Sequence, residues 1–239
     1  MTRGKDIREG GEVVESFAAL GVLAFTTGRS AGSFGTVSDE PVRDVMARWS
    51  ALRALVGGGD ARLATATQVH GARIIEHGGA WRGWLRCDDA DGHLACERGT
   101  AMAVTVADCV PVFLAHPSGA AAVLHSGWRG TVDGITARAI ERLAALGLAT
   151  RELSLHCGPA ICGKCYEVSP DVFGQLTGRS ADTPTPVDLR ALIVDHARVL
   201  GVREISVSAL CTRCDNDRLF SHRAGDAGRQ LGVIVAERV

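Results

Sequence analysis

Three segments of the chain join an apolar run to a side chain that binds metal ions. The runs end at His70 in TQVHG, at Cys109 in TVADC and at His125 in AVLHSGWRG. Because a sheet holds its strand ends side by side, ligands that are far apart in sequence can meet at one edge. Two imidazoles and one thiolate favour zinc over copper, and three protein ligands leave a fourth position for water or substrate. The pattern therefore predicts a catalytic zinc site.

Two other interpretations of these residues stay open at the level of sequence. In the first, the cysteine and both histidines are ordinary core residues whose polar atoms bind backbone groups. In the second, Cys109 is a nucleophile that His70 or His125 activates without a metal. The three residues lie far apart in the chain, so their spacing does not decide among the interpretations.

The turn after His125 has the composition of an anion site. Residues 126–131 (SGWRGT) lead from a strand into a helix that we expect to start near Asp133. Free N–H groups at the start of a helix attract anions, and the planar fork of Arg129 can hold two oxygens of a phosphate or carboxylate. The alternative is an ordinary turn with Arg129 on the surface.

A second loop, near the C-terminal end, carries two arginines among glycines. Arg223 follows FSH, and Arg229 follows Gly225 and Gly228. Glycines let the backbone approach a ligand, and arginine binds oxyanions through its fork, although a solvated turn can have the same composition. Both arginines are therefore secondary phosphate candidates after Arg129.

Two Cys-x-x-Cys pairs also need an interpretation. They are Cys162 with Cys165 and Cys211 with Cys214. Together they could hold a structural zinc through four thiolates, and either pair alone could be redox active. The gap between the pairs is longer than in zinc ribbons. We therefore expect these cysteines to be core or loop thiols rather than a second zinc site.

Composition and charge exclude several classes of protein. The 239 residues carry a formal net charge of -1 and a hydrophobic fraction of 46%, so bulk charge predicts neither a nucleic-acid nor an anionic-membrane partner. The N-terminal residues are too polar for a signal peptide, and no apolar run is long enough to span a membrane. We expect a cytoplasmic protein whose cysteines are mostly reduced.

Periodicity of the apolar residues predicts a single α+β (mixed α/β) domain over 1–239, with mixed sheets flanked by helices. A loosely ordered N-terminus is expected at 1–20, and residues 72–100 are expected to be mostly irregular. Pro111 indicates an edge strand or a break. Helices are predicted at 41–56, 133–146 and 187–200. Strands are predicted at 21–27, 62–69, 73–76, 101–106, 110–115, 119–124, 153–156 and 204–209.

Taken in order, the motifs resemble one known family. They read QVHG, ADCVPV, HSGWRG, GPAICGKCYEV, CT and FSHR followed by GR, and the similarity runs from about Phe25 to the C-terminal end. The chain resembles the laccase-domain family, also called multicopper polyphenol oxidase or peptidoglycan editing factor proteins. The resemblance implies one zinc ion held by His70, Cys109 and His125.

The same resemblance implies chemistry on purine nucleosides. Members resemble adenosine phosphorylases and adenosine deaminases that also accept methylthioadenosine, guanosine or inosine. This chain departs from the usual motifs at Ser126, where alanine is common, at His222, where tyrosine is common, and in the segment that follows Asp91. The departures leave the metal ligands intact and leave the preferred nucleoside undetermined.

Two classes of metalloenzyme need histidine motifs that this chain lacks. A multicopper oxidase needs paired His-x-His motifs, and the eight histidines of this chain form none. Cytidine-deaminase chemistry needs His-x-Glu, which is also absent from the sequence. Two alternatives remain: a metal-free cysteine hydrolase that cleaves an amide of a peptidoglycan precursor, and a non-catalytic nucleotide-binding protein.

The expected mechanism assigns a role to each candidate residue. Zinc polarises a substrate group or activates water, and Arg129 holds the phosphate that attacks the ribose, with Arg223 and Arg229 as the secondary candidates. Asp108 and Glu167 are the candidates for proton transfer, and Gln68 for substrate binding. The expected partners are a purine nucleoside and phosphate, and the oligomeric state is not predicted.

Overall fold

Two six-stranded mixed sheets, stacked face to face, form the centre of the molecule. This computed structural model describes residues 6–36, 40–57 and 61–237. Its strands, in chain order, are β1 (Glu12–Val13), β2 (Val22–Thr26), β3 (Arg62–Ala66), β4 (Ile74–His77), β5 (Gly83–Cys87), β6 (Gly92–Ala95), β7 (Thr100–Val106), β8 (Val110–Ala115), β9 (Ala121–Ser126), β10 (Ser154–Cys157), β11 (Glu167–Val168), β12 (Thr185–Pro186), β13 (Glu204–Val207) and β14 (Gln230–Ala236).

Helices cover the outer faces of both sheets. The α-helices are α1 (Val42–Leu55), α2 (Trp128–Val132), α3 (Ile135–Ala145), α4 (Pro170–Thr177) and α5 (Leu189–Val199). Short 3-10 helices lie at Glu15–Leu20, Arg29–Ala31 and Thr150–Glu152.

The first sheet has the strand order β1-β2-β14-β7-β3-β5 and the second has the order β13-β10-β8-β9-β6-β4. Both sheets are mixed. In the first, β3 runs parallel to β5 and β7, while β14 is antiparallel to β2 and β7. In the second, β8 is antiparallel to β9 and β10, while the outer pairs β10–β13 and β4–β6 are parallel. A two-stranded sheet of β11 and β12 lies apart from both.

The central strands are apolar along their whole length because both of their faces are covered. In β8, Val112 and Leu114 pack with the helices outside the second sheet, whereas Phe113 and Ala115 pack between the two sheets. Helix α1 covers the outer face of the first sheet through buried residues that include Trp49. The expected mixed α/β fold, with mixed sheets flanked by helices, is therefore confirmed.

The structure corrects the expectation for Pro111. Its strand β8 is neither an edge strand nor broken, because it lies between β9 and β10. The pairing of β8 with β10 starts at Val112, one residue after Pro111. The N–H that proline lacks is therefore not needed for a hydrogen bond to β10. The Pro111 carbonyl still accepts a hydrogen bond of 2.9 Å from the N–H of Gly158.

Other local expectations differ in part from the structure. Within residues 72–100, strand β4 confirms the strand expected at 73–76, whereas β5 and β6 lie in chain that was expected to be irregular. The helix expected at 133–146 is confirmed as α3 (Ile135–Ala145), and the short helix α2, which was not expected, precedes it and is separated from it by Gly134 with a φ of 73°. Within the expected loose segment 1–20, residues 1–5 lie outside the described part, and β1 and a 3-10 helix that buries Phe17 fill much of the rest.

No helix in the described ranges is both long enough and apolar enough to cross a membrane.

Candidate metal centre and active site

Three strand ends bring His70, Cys109 and His125 together. His70 lies four residues after β3, Cys109 lies in the turn between β7 and β8, and His125 is the penultimate residue of β9. One ligand atom from each residue lies within 4.8 Å of the other two. The rings of His70 and His125 meet edge to face, with 4.8 Å between their centroids. The convergence that the sequence pattern predicts is thus present in the folded chain.

Gly127 makes this close approach sterically feasible. A Cβ atom at this position would lie 2.9 Å from the Cys109 sulfur and 3.5 Å from Cδ2 of His70. The first distance is shorter than a side-chain carbon can tolerate, so any larger residue would displace the sulfur.

Asp91 is the residue that organises the two histidines. Its carboxylate is fully buried and accepts hydrogen bonds from three successive backbone N–H groups, those of Val69 (3.1 Å), His70 (3.0 Å) and Gly71 (2.8 Å). His70 has a positive φ of 61°, a strained conformation for a residue with a side chain. Successive N–H groups that converge in this way form a small anion nest. The nest fixes the turn that carries His70.

The same carboxylate orients His125. The Nδ1 atom of His125 lies 2.7 Å from Oδ1 of Asp91, which leaves Nε2 to face Cys109 and His70. Burial opposes ionisation of Asp91, but the hydrogen bonds from His125, Gly71 and Val69 outweigh it and hold the pKa of the carboxyl below its usual value. Asp91 is therefore a permanent negative charge behind His125.

The protonation states of Cys109 and His125 are coupled in the metal-free chain. Burial opposes ionisation of the Cys109 thiol, but the charge of His125 and hydrogen bonds from His125 and His70 lower its pKa to about 6. Burial likewise opposes the charged form of His125, but the thiolate and Asp91 raise its pKa to about 9. Near neutral pH the two side chains form a thiolate–imidazolium pair.

This donor set fits a metal ion. With metal–nitrogen distances of about 2.0–2.1 Å and a metal–sulfur distance of about 2.3 Å, tetrahedral ligands lie about 3.3–3.7 Å apart, which the separations of up to 4.8 Å approach. His125 is buried while His70 is exposed, so the site opens to solvent on the His70 side. Three protein ligands beside an open side is the arrangement of a catalytic metal site.

Tyr166 is near enough to Cys109 for the charge of the thiolate to act on its phenol. Burial, together with the charges of Cys109 and Asp108 and against those of Arg223 and Arg129, raises the pKa of Tyr166 to about 12. The guanidinium of Arg223 also lies over the Tyr166 ring, 5.3 Å from its centroid. The phenol therefore stays protonated at neutral pH and can donate a hydrogen bond to an anion.

Both carboxylate oxygens of Asp108 are engaged by a neighbouring loop. One carboxylate oxygen accepts a 2.5 Å hydrogen bond from the Thr212 hydroxyl, and the other accepts a 2.7 Å bond from the N–H of Arg223. Asp108 is buried and has a positive φ of 79°, directly before Cys109. Its carboxylate thus ties the loop that carries Thr212 and Arg223 to the turn that carries the metal ligand.

Gln68 and Arg229 are committed to the backbone rather than to an open site. The Gln68 amide donates to the Thr105 carbonyl at 2.8 Å and accepts from the Thr105 N–H at 2.7 Å, so both of its ends are used. The Arg229 guanidinium donates to three successive loop carbonyls, those of residues 226–228. The substrate-binding roles expected for Gln68 and Arg229 stay predictions.

Three of the expected site residues are exposed to solvent: Arg129, Arg223 and Glu167. Arg129 is exposed in the first turn of α2, and its guanidinium lies 4.3 Å from the centroid of the Trp128 ring. The short helix α2 has only five residues, so the expected helix-start site is smaller than the sequence indicated. Glu167 is exposed, and its carbonyl accepts two hydrogen bonds of 3.2 Å from Arg223.

Sequence reasoning missed Asp91 and Tyr166. Asp91 follows two exposed aspartates in DDAD, and nothing local marks it as the buried one. Tyr166 stands within the CYEV motif and is the single tyrosine of the chain, which was the one available signal.

The two Cys-x-x-Cys pairs also come together. Cys162, Cys165, Cys211 and Cys214 place their sulfur atoms within 4.8 Å of one another, and all four are free thiols. The expectation that they are unrelated core or loop thiols is at odds with this cluster.

The fold and the site together define a mixed α/β protein with a candidate metal centre of two histidines and one cysteine. The family model described as multi-copper polyphenol oxidoreductase laccase matches residues 27–237, and the chain belongs to this family. The resemblance seen in the sequence motifs is therefore confirmed.

Curated relatives cover most of the chain. A protein named purine nucleoside phosphorylase from Mycobacterium tuberculosis is 38% identical over 211 residues, which cover 84% of this chain and 82% of the relative. A Streptomyces coelicolor protein with the same activity in its name is 35% identical over 208 residues, covering 84% and 85% respectively.

Solved structures share the fold. YlmD from Geobacillus stearothermophilus superposes with a TM-score of 0.84 at 26% identity, over 91% of this chain and 93% of that one. The Bacillus licheniformis protein YfiH superposes with a TM-score of 0.86 over 98% of each chain, and at 22% identity this likeness concerns the fold alone.

Proposed function

We propose that this chain is a zinc-dependent purine nucleoside phosphorylase that cleaves adenosine and related nucleosides such as methylthioadenosine, inosine and guanosine. The observation that carries the proposal is the convergence of His70, Cys109 and His125 next to Arg129 and Arg223. The names of the relatives in Mycobacterium and Streptomyces support it. We place the reaction in the cytoplasm, where nucleosides and inorganic phosphate are available.

The arginines supply the anion site in this proposal. Arg223 is held by the Glu167 carbonyl and the Tyr166 ring, neither of which neutralises its charge. Within the described ranges, the Arg129 guanidinium packs on the Trp128 ring. Two cations without a carboxylate partner in the described ranges can hold a phosphate through charge-assisted hydrogen bonds. The protonated Tyr166 hydroxyl adds a neutral donor.

The reaction forms one bond and breaks another at the anomeric carbon of the ribose. A phosphate oxygen bonds to that carbon, and the bond to the purine nitrogen breaks with its electron pair leaving on the base, which takes up a proton. When bound, zinc supplies a Lewis acid at neutral pH. Because both oxygens of Asp108 hold the neighbouring loop, the exposed Glu167 is the better candidate to move the proton. Hydrolytic deamination of adenosine is a second reaction that we propose for the same centre.

The arginine assignment can be tested with a matched pair of variants. Arg129→Ala should weaken phosphate use by about 1.5–3 kcal/mol, the range for a hydrogen bond to a charged group. Arg229→Ala should leave it unchanged, because Arg229 serves its own loop. Initial rates of adenine release from adenosine are measured against phosphate concentration, and inosine formation is followed in the same samples.

Three outcomes would contradict parts of this account. Equal loss in both arginine variants would remove Arg129 from the phosphate site. Equal damage to adenine release and inosine formation would mean that Arg129 serves the fold or the nucleoside. If no purine nucleoside is turned over with or without phosphate, the chain is better described as a nucleotide-binding protein.

A specific observation favours a second candidate function, a metal-free cysteine hydrolase. Cys109, His125 and Asp91 are arranged as nucleophile, base and orienting carboxylate, and the thiol is ionised near neutral pH. His70, however, has no role in such a triad, whereas it completes a metal site. The expected substrate of the alternative is an amide of a peptidoglycan precursor.

Cys109→Ser separates the two functions. Serine replaces a soft thiolate with a hard, weakly acidic hydroxyl, so we expect one bound metal ion and the nucleoside activity to be lost together. The matched control is Cys87→Ser, at a free cysteine on β5 outside both groups of candidate ligands. Metal content and adenine release are measured on the same preparations. Full metal content with no activity would identify Cys109 as a nucleophile.

A further inference from the structure

The cluster of Cys162, Cys165, Cys211 and Cys214 has the dimensions of a tetrathiolate metal site. All four sulfur atoms lie within 4.8 Å of one another, and those of Cys165 and Cys214 are 3.5 Å apart. Tetrahedral zinc with Zn–S bonds of about 2.3 Å places its sulfur ligands about 3.8 Å from each other. Small side-chain adjustments would therefore close the four thiols around one ion.

Backbone N–H groups are already aimed at these sulfur atoms. The Cys211 sulfur faces the N–H groups of Cys162 at 3.2 Å and of Cys214 at 3.5 Å. Hydrogen bonds from outside the ligand shell stabilise negative charge on metal-bound thiolates and orient them. Both Cys-x-x-Cys turns thus have a backbone that suits a thiolate.

The surrounding charge also suits a metal. Four thiolates around a divalent ion leave an excess of negative charge, and the residues inside the two turns include the cations Lys164 and Arg213. The Arg213 guanidinium reaches across to the Cys165 carbonyl at 3.5 Å. A disulfide between Cys165 and Cys214 would use two of the sulfur atoms, whereas one metal ion uses all four.

The cluster joins two segments that form the wall of the candidate active site. The segment 158–166 carries Tyr166, and the segment 208–223 carries Thr212 and Arg223. Outside the thiols the two segments are linked by a backbone bridge between Ala160 and Cys211 and by the hydrogen bond from the Thr212 N–H to the Ala160 carbonyl. An ion at the cluster would hold Tyr166 and Arg223 against each other.

We propose that Cys162, Cys165, Cys211 and Cys214 bind a second, structural zinc ion that clamps these two segments together. The site is separate from the ligands His70, Cys109 and His125, and its existence does not depend on the proposed nucleoside activity.

Metal counting tests the proposal directly. The full chain, purified from zinc-supplemented culture without chelator, should carry about two zinc ions, one at each site. Cys214→Ser and Cys165→Ser should each lose one ion, while Cys96→Ser, at an exposed free cysteine outside the cluster, should lose none. Cys109→Ser should lose the other ion and keep this one, so failure of either site is recognised separately.

X-ray absorption at the zinc edge identifies the ligands in the same samples. In Cys109→Ser the remaining zinc should show a shell of four sulfur atoms at about 2.3 Å. A shell dominated by nitrogen and oxygen would overturn the proposal.

Measurements on the unmutated chain keep the test valid if the cysteine variants do not fold. Native mass spectrometry should detect two ions per chain, and chelation of the tetrathiolate ion should raise amide exchange in the segments 158–166 and 208–223. A single ion per chain whose X-ray absorption shows nitrogen ligands, or a disulfide between the two pairs in protein kept under reducing conditions, would overturn the proposal.

Discussion

At the scale of single residues, Asp91 connects the backbone to the chemistry. Its carboxylate accepts hydrogen bonds from three backbone N–H groups of the turn that carries His70. The same carboxylate also orients the ring of His125. One buried charge therefore positions two of the three candidate metal ligands. Carboxylates behind histidine ligands affect metal affinity even though they do not touch the ion.

Asp91→Asn tests this role. The amide keeps the shape but loses the charge, and it presents an N–H group to donors that need an acceptor, so we expect metal affinity at this centre to fall by about 10–100-fold. Asp88→Asn, at an exposed position in the same segment, is the control and should change nothing. Affinity is measured by competition with a zinc chelator in a Cys165→Ser background, which isolates this centre. Unchanged affinity in Asp91→Asn would show that the turn holds the ligands without the carboxylate charge.

At the scale of elements, the turn between β7 and β8 is locked to the loop that contains Thr212. The Thr212 hydroxyl donates a short hydrogen bond to one oxygen of the buried Asp108 carboxylate. The N–H of Arg223 donates to the other oxygen. Both ends of the bond from Thr212 are inaccessible to water, so a carboxylate oxygen that loses its donor has no ready replacement.

Thr212→Val should therefore lower the free energy of unfolding by about 1.5–3 kcal/mol, the range for a hydrogen bond to a charged group. Valine keeps the volume and removes the hydroxyl. Thr183→Val, at an exposed threonine, is the control and should stay close to the parent. Urea unfolding followed by tryptophan fluorescence gives both values. A loss no larger than that of the control would mean that Asp108 is satisfied by the Arg223 N–H alone.

The elements also show which parts of the site the sequence could predict. His70, Cys109 and His125 each follow or end an apolar run, and strand ends meet because pairing places them side by side. Asp91 could not be found in this way, because it binds a turn some 20 residues earlier through backbone N–H groups that carry no sequence signal. Tyr166 likewise reaches the site through a loop whose path is set by tertiary packing.

Strand β14 and helix α4 were missed for different reasons. The run LGVIVA in β14 is apolar on both faces, and such runs lack the alternation that marks a half-buried strand. Helix α4 did have local signals: Ser169 caps it by accepting from the Val172 N–H, and Pro170 occupies the first helical position.

At the scale of the whole molecule, the stacked sheets explain why ligands from distant parts of the chain form one site. Strands β7 and β14 of one sheet and β8 and β9 of the other are buried on both faces, and their ends carry Cys109 and His125. Such a core resists small displacements, so Cys109 and His125 are held close together before a metal binds. Mixed sheets were expected from the sequence, but the order of the strands within each sheet was not. That order depends on which apolar runs pair across long separations in the chain.

Removal and return of the metal test the central claim most directly. The purified chain is stripped with a chelator and then restored with zinc, and phosphate-dependent release of adenine from adenosine is measured at each stage, with zinc content and folding checked in the same samples. We expect the rate to disappear with the ion bound at His70, Cys109 and His125 and to return when that ion is restored. A folded, stripped chain that still cleaves adenosine at the full rate would contradict the proposed zinc-dependent phosphorylase.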